Sequence, residues 1–152
     1  MPLIIGVSLA LSLALNGTAV SATSTAQSIS LDQTQQVEMP QAQSVGQYVA
    51  SYFADEPIMV AIAQCESHDR QYASDGSVYR GQINNKDVGV MQINQHYQGA
   101  AAKKLGFDLY TLQGNVAYAQ YLYEKQGTQP WASSSACWSK SNAGKALADA
   151  VK

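Results

Sequence analysis

The chain predicts an α+β fold, mostly helical with a small β-hairpin, and three observations predict it. Apolar residues recur at helical spacing in Val45, Tyr48, Val49, Tyr52 and Phe53, in Ile58, Ala61, Ile62 and Cys65, and in Leu112, Val116, Ala119, Leu122 and Tyr123. Start and stop residues bracket these runs: Pro57 after Asp55-Glu56, Thr111 before Leu112, and Gly106 and Gly127 beyond later ends. Between the second and third runs lies a stretch rich in Asp, Ser, Gly and Asn, where residues 77–80 and 82–84 alternate weakly as short strands do.

Taken in order, the first helix covers residues 45–53. The second opens at Pro57, with acids just before it and proline at its first position. Residues 69–86 are expected to be loops with a short β-hairpin. Residues 87–94 read as an extended edge entering a turn, where Gly89 permits close backbone approach. A short helix over 97–105 stops at Gly106. The clearest later helix follows Thr111, runs to Gln126 and ends at Gly127. A loop then passes through Pro130 and Trp131, and a last helix covers 142–151.

The N-terminal third reads differently. Residues 3–15 are apolar apart from Ser and Gly, the length of a signal-peptide core and short for a membrane span. Val20-Ser21-Ala22 offers small residues for cleavage, so residues 1–22 are expected to be a signal peptide. No Lys or Arg precedes Arg70, and an uncleaved N-terminal anchor is the rival. Residues 23–43 are rich in Ser, Thr, Gln and Ala without an aromatic, and cannot bury enough surface to offset their ordering entropy; they are expected to be a flexible linker. Residues 44–152 form the expected folded domain.

Charge excludes one class of partner. The net charge is −2, and the nine Lys and Arg form no run longer than Lys103-Lys104, so a nucleic-acid footprint is absent. Nine tyrosines supply amphipathic rings, suited either to a half-buried helical core or to a cleft that stacks sugars. Cys65 and Cys137 are the two cysteines. In an exported protein they would be oxidised, and a bridge between them would close a long loop. Two separate buried thiols are the alternative. Cys65 and His68 have the spacing of half a metal site, but no second close pair completes it, and no metal or cofactor is expected.

Two segments carry candidate chemistry. Glu66 stands where the apolar helix turns polar, beside a core that would desolvate it and raise its pKa. Asp87 stands among Asn84, Asn85, Lys86 and Gln92, a polar setting suited to an ionised carboxylate. Breaking a glycosidic bond needs such a contrasting pair: one carboxyl to protonate the leaving oxygen, another to stabilise or trap the positive sugar. The spacing alone is weak support, because a Glu and an Asp about twenty residues apart are common.

Resemblance adds to it. Glu66-Ser67 followed by Asp87-Val88-Gly89-Val90-Met91-Gln92-Ile93-Asn94 resembles the catalytic stretch of c-type lysozymes, with a loop a few residues longer. The match implies Glu66 as general acid and Asp87 as nucleophile or charge stabiliser. Ser67, Met91, Gln92 and Asn94 become substrate-binding candidates, and Tyr97 falls where that family places a sugar-stacking Trp. Glu66-Ser67 with Gly89-Val90-Met91-Gln92-Ile93 also resembles the soluble lytic transglycosylases (SLT domains), in which a lone Glu is acid and then base. Their usual Ala-Tyr-Asn motif is absent, and residues 115–119 are the nearest counterpart. Residues 62–67, with Gln129-Pro130-Trp131 and Cys137, resemble the resuscitation-promoting factors, whose matching cysteines pair; that implies a Cys65–Cys137 bridge. Trp131 stacks on sugar or caps the core, and Tyr118 lines the cleft or packs on the first helix; both are substrate-binding candidates.

The three families imply a lysozyme-like fold and cleavage of the β-1,4 bond between N-acetylmuramic acid and N-acetylglucosamine. The expectation is therefore a secreted or cell-envelope peptidoglycan glycosidase, muramidase or lytic transglycosylase. It would be monomeric, act on glycan strands, and stay off the membrane once the signal is removed. A non-catalytic glycan-binding or interaction module on the same fold is the alternative.

Overall fold

The computed structural model describes residues 42–150, all within one compact unit. The leader expected over 1–22, and the linker expected over 23–43 except its last two residues, lie outside the described residues.

Helix α1, Val45–Tyr52, opens on a capping box. The Ser44 hydroxyl accepts from the Gln47 N–H at 3.2 Å, and the Gln47 side chain accepts from the Ser44 N–H at 2.8 Å, so two otherwise orphaned donors are satisfied. Helix α2, Pro57–Ser67, has proline at its N-terminus as its sequence predicts, with a non-helical Glu56 before it. It buries Ile58, Met59, Ile62, Ala63 and Ser67, and ends where His68 turns left-handed (φ 55°) and its N–H reaches the Gln64 carbonyl. Helix α2 is the central element: it packs against α1, against the 3-10 segment described below and against both C-terminal helices. Fully buried Met59, Ile62 and Phe53 anchor this core, each contributing about 1.5–3 kcal/mol on transfer from water.

The sheet is one antiparallel pair, β1 (Asp87–Val88) with β2 (Ile93–Asn94), in register Asp87↔Asn94 and Val88↔Ile93. The hairpin is therefore displaced from its expected place. Residues 69–86 hold only isolated bridges, Tyr72 to Val78 and Arg80 to Val88. The alternation at 82–84 has no face to bury, because Ile83 is fully exposed, whereas Val88 and Ile93 both enter the core.

Helix α3, Gln95–Lys104, begins directly after β2. Asn94 caps it, its side-chain Oδ1 accepting from His96 and Tyr97 N–H at 3.1 and 3.3 Å. Helix α4, Leu112–Gln126, has the predicted ends: Thr111 Oγ1 accepts from Gly114 N–H at 3.1 Å, and Gly127 takes a positive φ. The expected loop after it is instead a 3-10 helix, Gln129–Ser134, followed by a single-turn helix α5, Ser135–Trp138. Helix α6, Asn142–Ala150, completes the described chain. The architecture is α+β, mostly helical with a small antiparallel hairpin, as predicted.

Candidate functional site

The geometry of the site begins with a buried turn. Gly89-Val90-Met91-Gln92 joins the two strands; Val90 and Met91 are inaccessible, so their backbone groups need partners within the protein. Four side chains supply them. Gln71 Oε1 accepts from Val90 N–H at 2.9 Å, and Ser67 Oγ donates to the Val90 carbonyl at 2.8 Å. Asn115 Oδ1 accepts from Met91 N–H at 2.9 Å, and Trp131 Nε1 donates to the Met91 carbonyl at 2.9 Å. Asn115 Nδ2 also donates to the carbonyls of Val88 and Leu109. Gly89 has φ 73°, and a Cβ there would collide with the Asn115 amide, so the close approach expected of this glycine is real.

This bracket fixes β1 against the end of α2 and so sets Asp87 near Glu66. Both carboxylates, with Gln92, line two adjoining hollows of about 450 and 240 Å³. His68, Arg70 and Tyr79 extend the larger one; Tyr97, Gln98 and Trp131 extend the smaller. Asp87 Oδ1 accepts from Asn94 Nδ2 at 2.7 Å and from Asn84 Nδ2 at 3.3 Å. Asn94 thus caps α3 with its oxygen and orients Asp87 with its nitrogen. Gln92 takes φ 48°, and its amide donates to the Gly89 carbonyl at 2.8 Å. Arg70 is stacked on Tyr79, 4.1 Å from the ring centroid, and donates to its hydroxyl.

Glu66 is partly buried, and Ser134 Oγ donates to its Oε1 at 2.6 Å. Burial pushes its carboxyl above the ordinary glutamate value; the Ser134 hydrogen bond pulls the other way, and the negative charge of Asp87 pushes it up again. The contrast expected from sequence is present: one carboxyl is desolvated by the core, and the other is held by amides.

Glu66, Asp87, Gln92, Asn94, Tyr97 and Trp131 all reach the hollows, and Tyr97 is 77 % exposed. Ser67, Met91 and Tyr118, also expected among the substrate-binding residues, line neither hollow. Ser67 is wholly buried, because its hydroxyl serves the Val90 carbonyl and accepts from Arg70 N–H. Met91 is wholly buried because its side chain fills the core beneath the turn. Tyr118 packs against Phe107 and Tyr121 and donates to Gln98 Oε1 at 2.7 Å. Trp131 is 3 % exposed: it caps the core and shows the smaller hollow only an edge. Sequence reasoning missed Ser134, whose only trace is the serine run Ser133-Ser134-Ser135.

Cys65 and Cys137 form a disulfide with Cα atoms 6.0 Å apart. It ties α5 to the turn of α2 that carries Glu66, and it removes the thiolate from the Cys65–His68 metal pair. A roomier hollow, about 680 Å³, lies elsewhere, between α3 and residues 106–110. Asp108 is its one acidic residue, so it lacks the carboxylate pair. No helix among the described residues is long and apolar enough to cross a membrane. No protein family, curated protein or solved structure matches the chain.

Proposed function

We propose that this protein is a peptidoglycan glycosidase that cuts the β-1,4 bond between N-acetylmuramic acid and N-acetylglucosamine. The observation that carries the reading is the carboxylate pair: Glu66 desolvated at the end of α2, and Asp87 held by Asn84 and Asn94, on the walls of the same open hollows. The resemblance to lysozyme-like enzymes supports the same assignment.

In this mechanism Glu66, kept protonated by its surroundings, donates to the glycosidic oxygen as the bond breaks. Positive charge develops on the sugar ring, and Asp87 stabilises it or traps the anomeric carbon. Gln92 and Asn94 hydrogen-bond sugar, Asn94 also keeps Asp87 in place, and exposed Tyr97 stacks on a ring face. The acceptor is water in a muramidase and the sugar's own hydroxyl in a lytic transglycosylase. Asp87 favours hydrolysis. The Cys65–Cys137 bridge fits an extracytoplasmic location, secreted or in the envelope.

The test is digestion of purified peptidoglycan by the chain and by Glu66→Gln, with products identified by mass spectrometry. New reducing ends, absent with the variant, are the expected result. Products lighter by one water would assign transglycosylation and leave Asp87 a supporting role. Retention on insoluble glycan without products from either protein would overturn the enzyme reading in favour of a binding module.

A further inference from the structure

Ser134 donates a hydrogen bond to Glu66, and it comes from a segment fastened at several points. Trp131 Nε1 is bonded to the Met91 carbonyl at 2.9 Å, and Trp138 Nε1 to the Trp131 carbonyl at 3.0 Å. Cys137, three residues beyond Ser134, is bonded to Cys65, the neighbour of Glu66. Ser134 Oγ lies 2.6 Å from Glu66 Oε1 and 3.1 Å from the Trp131 carbonyl. A serine hydroxyl has one hydrogen, and the shorter contact to a carboxylate oxygen is the stronger acceptor.

We infer that Ser134 is a positioning residue for Glu66: it holds Oε1 as a hydrogen-bond acceptor and so leaves Oε2 as the oxygen that carries the transferable proton. This rests on the reading of Glu66 as the acid, and it adds which oxygen works and what orients it. A desolvated carboxyl without a partner would rotate and present either oxygen. With Oε1 engaged, the protonated form keeps its O–H on Oε2, and the ionised form keeps a charge-assisted bond that steadies it for its return as base. The Trp131 carbonyl acts as the back-stop for Oγ, and the disulfide holds the backbone on which it stands.

The charged and titratable groups around Glu66 are few. Asp87 faces it from β1; His68 and Arg70 follow it beyond the end of α2; Tyr79 and Tyr97 stand on the hollow walls. The strap contributes Ser133 and Ser134, which carry no charge, so removing the Ser134 hydroxyl changes a hydrogen bond and no ion pair.

The experiment follows the Glu66 side-chain carboxyl by 13C NMR titration in the full chain, alongside Ser134→Ala and Ser134→Thr. Loss of the donor removes stabilisation of the ionised form. The midpoint in Ser134→Ala therefore moves up by about one pH unit, the difference between a charge-assisted and an absent bond. Ser134→Thr, which keeps the hydroxyl, returns it toward the parent value. On peptidoglycan, kcat falls in Ser134→Ala with KM unchanged, and its alkaline limb, where Glu66 loses the proton it must donate, moves with the NMR midpoint. An unchanged midpoint in Ser134→Ala, with the disulfide intact by mass and native circular dichroism, overturns the inference; so does a Ser134→Thr variant that titrates like Ala. The titration needs no turnover, so a chain that cuts no glycan would sink the proposed activity while the Ser134–Glu66 link is still decided.

Discussion

Asn115→Ala is the substitution whose cost can be worked most directly. Its amide makes three hydrogen bonds in a buried setting: from Nδ2 to the Val88 carbonyl at 3.0 Å and the Leu109 carbonyl at 2.9 Å, and from Met91 N–H to Oδ1 at 2.9 Å. Truncation weakens the bracket around the turn and strands Met91 N–H away from water. At about 1–1.5 kcal/mol per lost bond, the loss is about 4 kcal/mol, a large share of the roughly 5–15 kcal/mol that holds a domain folded. Urea unfolding of the full chain, followed by fluorescence of buried Trp131, reads the loss as a lower midpoint at unchanged slope. Asn115→Asp sharpens the test. It keeps the acceptor for Met91 but puts one oxygen, facing two carbonyls, in place of the nitrogen that made both donations, so it is as damaging at neutral pH and recovers in part in acid, where the carboxyl regains one O–H. A loss below about 1 kcal/mol in Asn115→Ala would refute the claim that this amide braces the hairpin.

Two further outcomes are expected. Reducing the Cys65–Cys137 bond frees a loop with a sequence separation of 72, which in the chain-entropy model is worth about 4 kcal/mol; an identical urea midpoint with and without dithiothreitol would contradict it. Glu66→Gln removes a carboxyl whose burial favours the neutral form in the folded state. Below the ordinary carboxylate range, folded and unfolded chains both hold the proton, and the substitution gains nothing from ionisation. As pH rises from the ordinary value toward the raised native one, the unfolded chain ionises while the folded chain holds its proton, so the parent loses stability that Glu66→Gln keeps, and the variant gains relative to it until the native value is passed. Melting temperatures of both chains from acid to neutral pH check this; a gap that does not widen with pH rules it out.

Local pattern made most of the helices legible. Pro57, Thr111 and Gly127 stand at or beside helix ends, and each end is decided by groups within a few residues. The hairpin was harder to read. Residues 82–84 alternate yet have no neighbour to bury against, while 87–94 reads as extended and becomes a pair of two-residue strands once Gln71, Asn115 and Trp131 close around its turn. Those partners lie 19, 24 and 40 residues away from the groups they satisfy, beyond the reach of any local pattern. The site divides in the same way. Glu66 and Asp87 stand out as a carboxylate at an apolar helix end and another among amides. Ser67 and Met91, adjacent to site residues in sequence, point inward, because a turn buried this deeply takes its neighbours as structural partners.

The sequence by itself determined the helical frame, the two carboxylates and their contrasting surroundings, because propensity, capping and burial preference act within a turn or two of chain. Tertiary structure alone decided which residues of the motif face the hollow, where the two strands pair, and that a serine 68 residues away bonds to Glu66. The physical reason is that a hydrogen bond needs two groups within about 3 Å, and for groups so far apart along the chain that distance is set by the packing of α2, the hairpin and the disulfide-tethered strap.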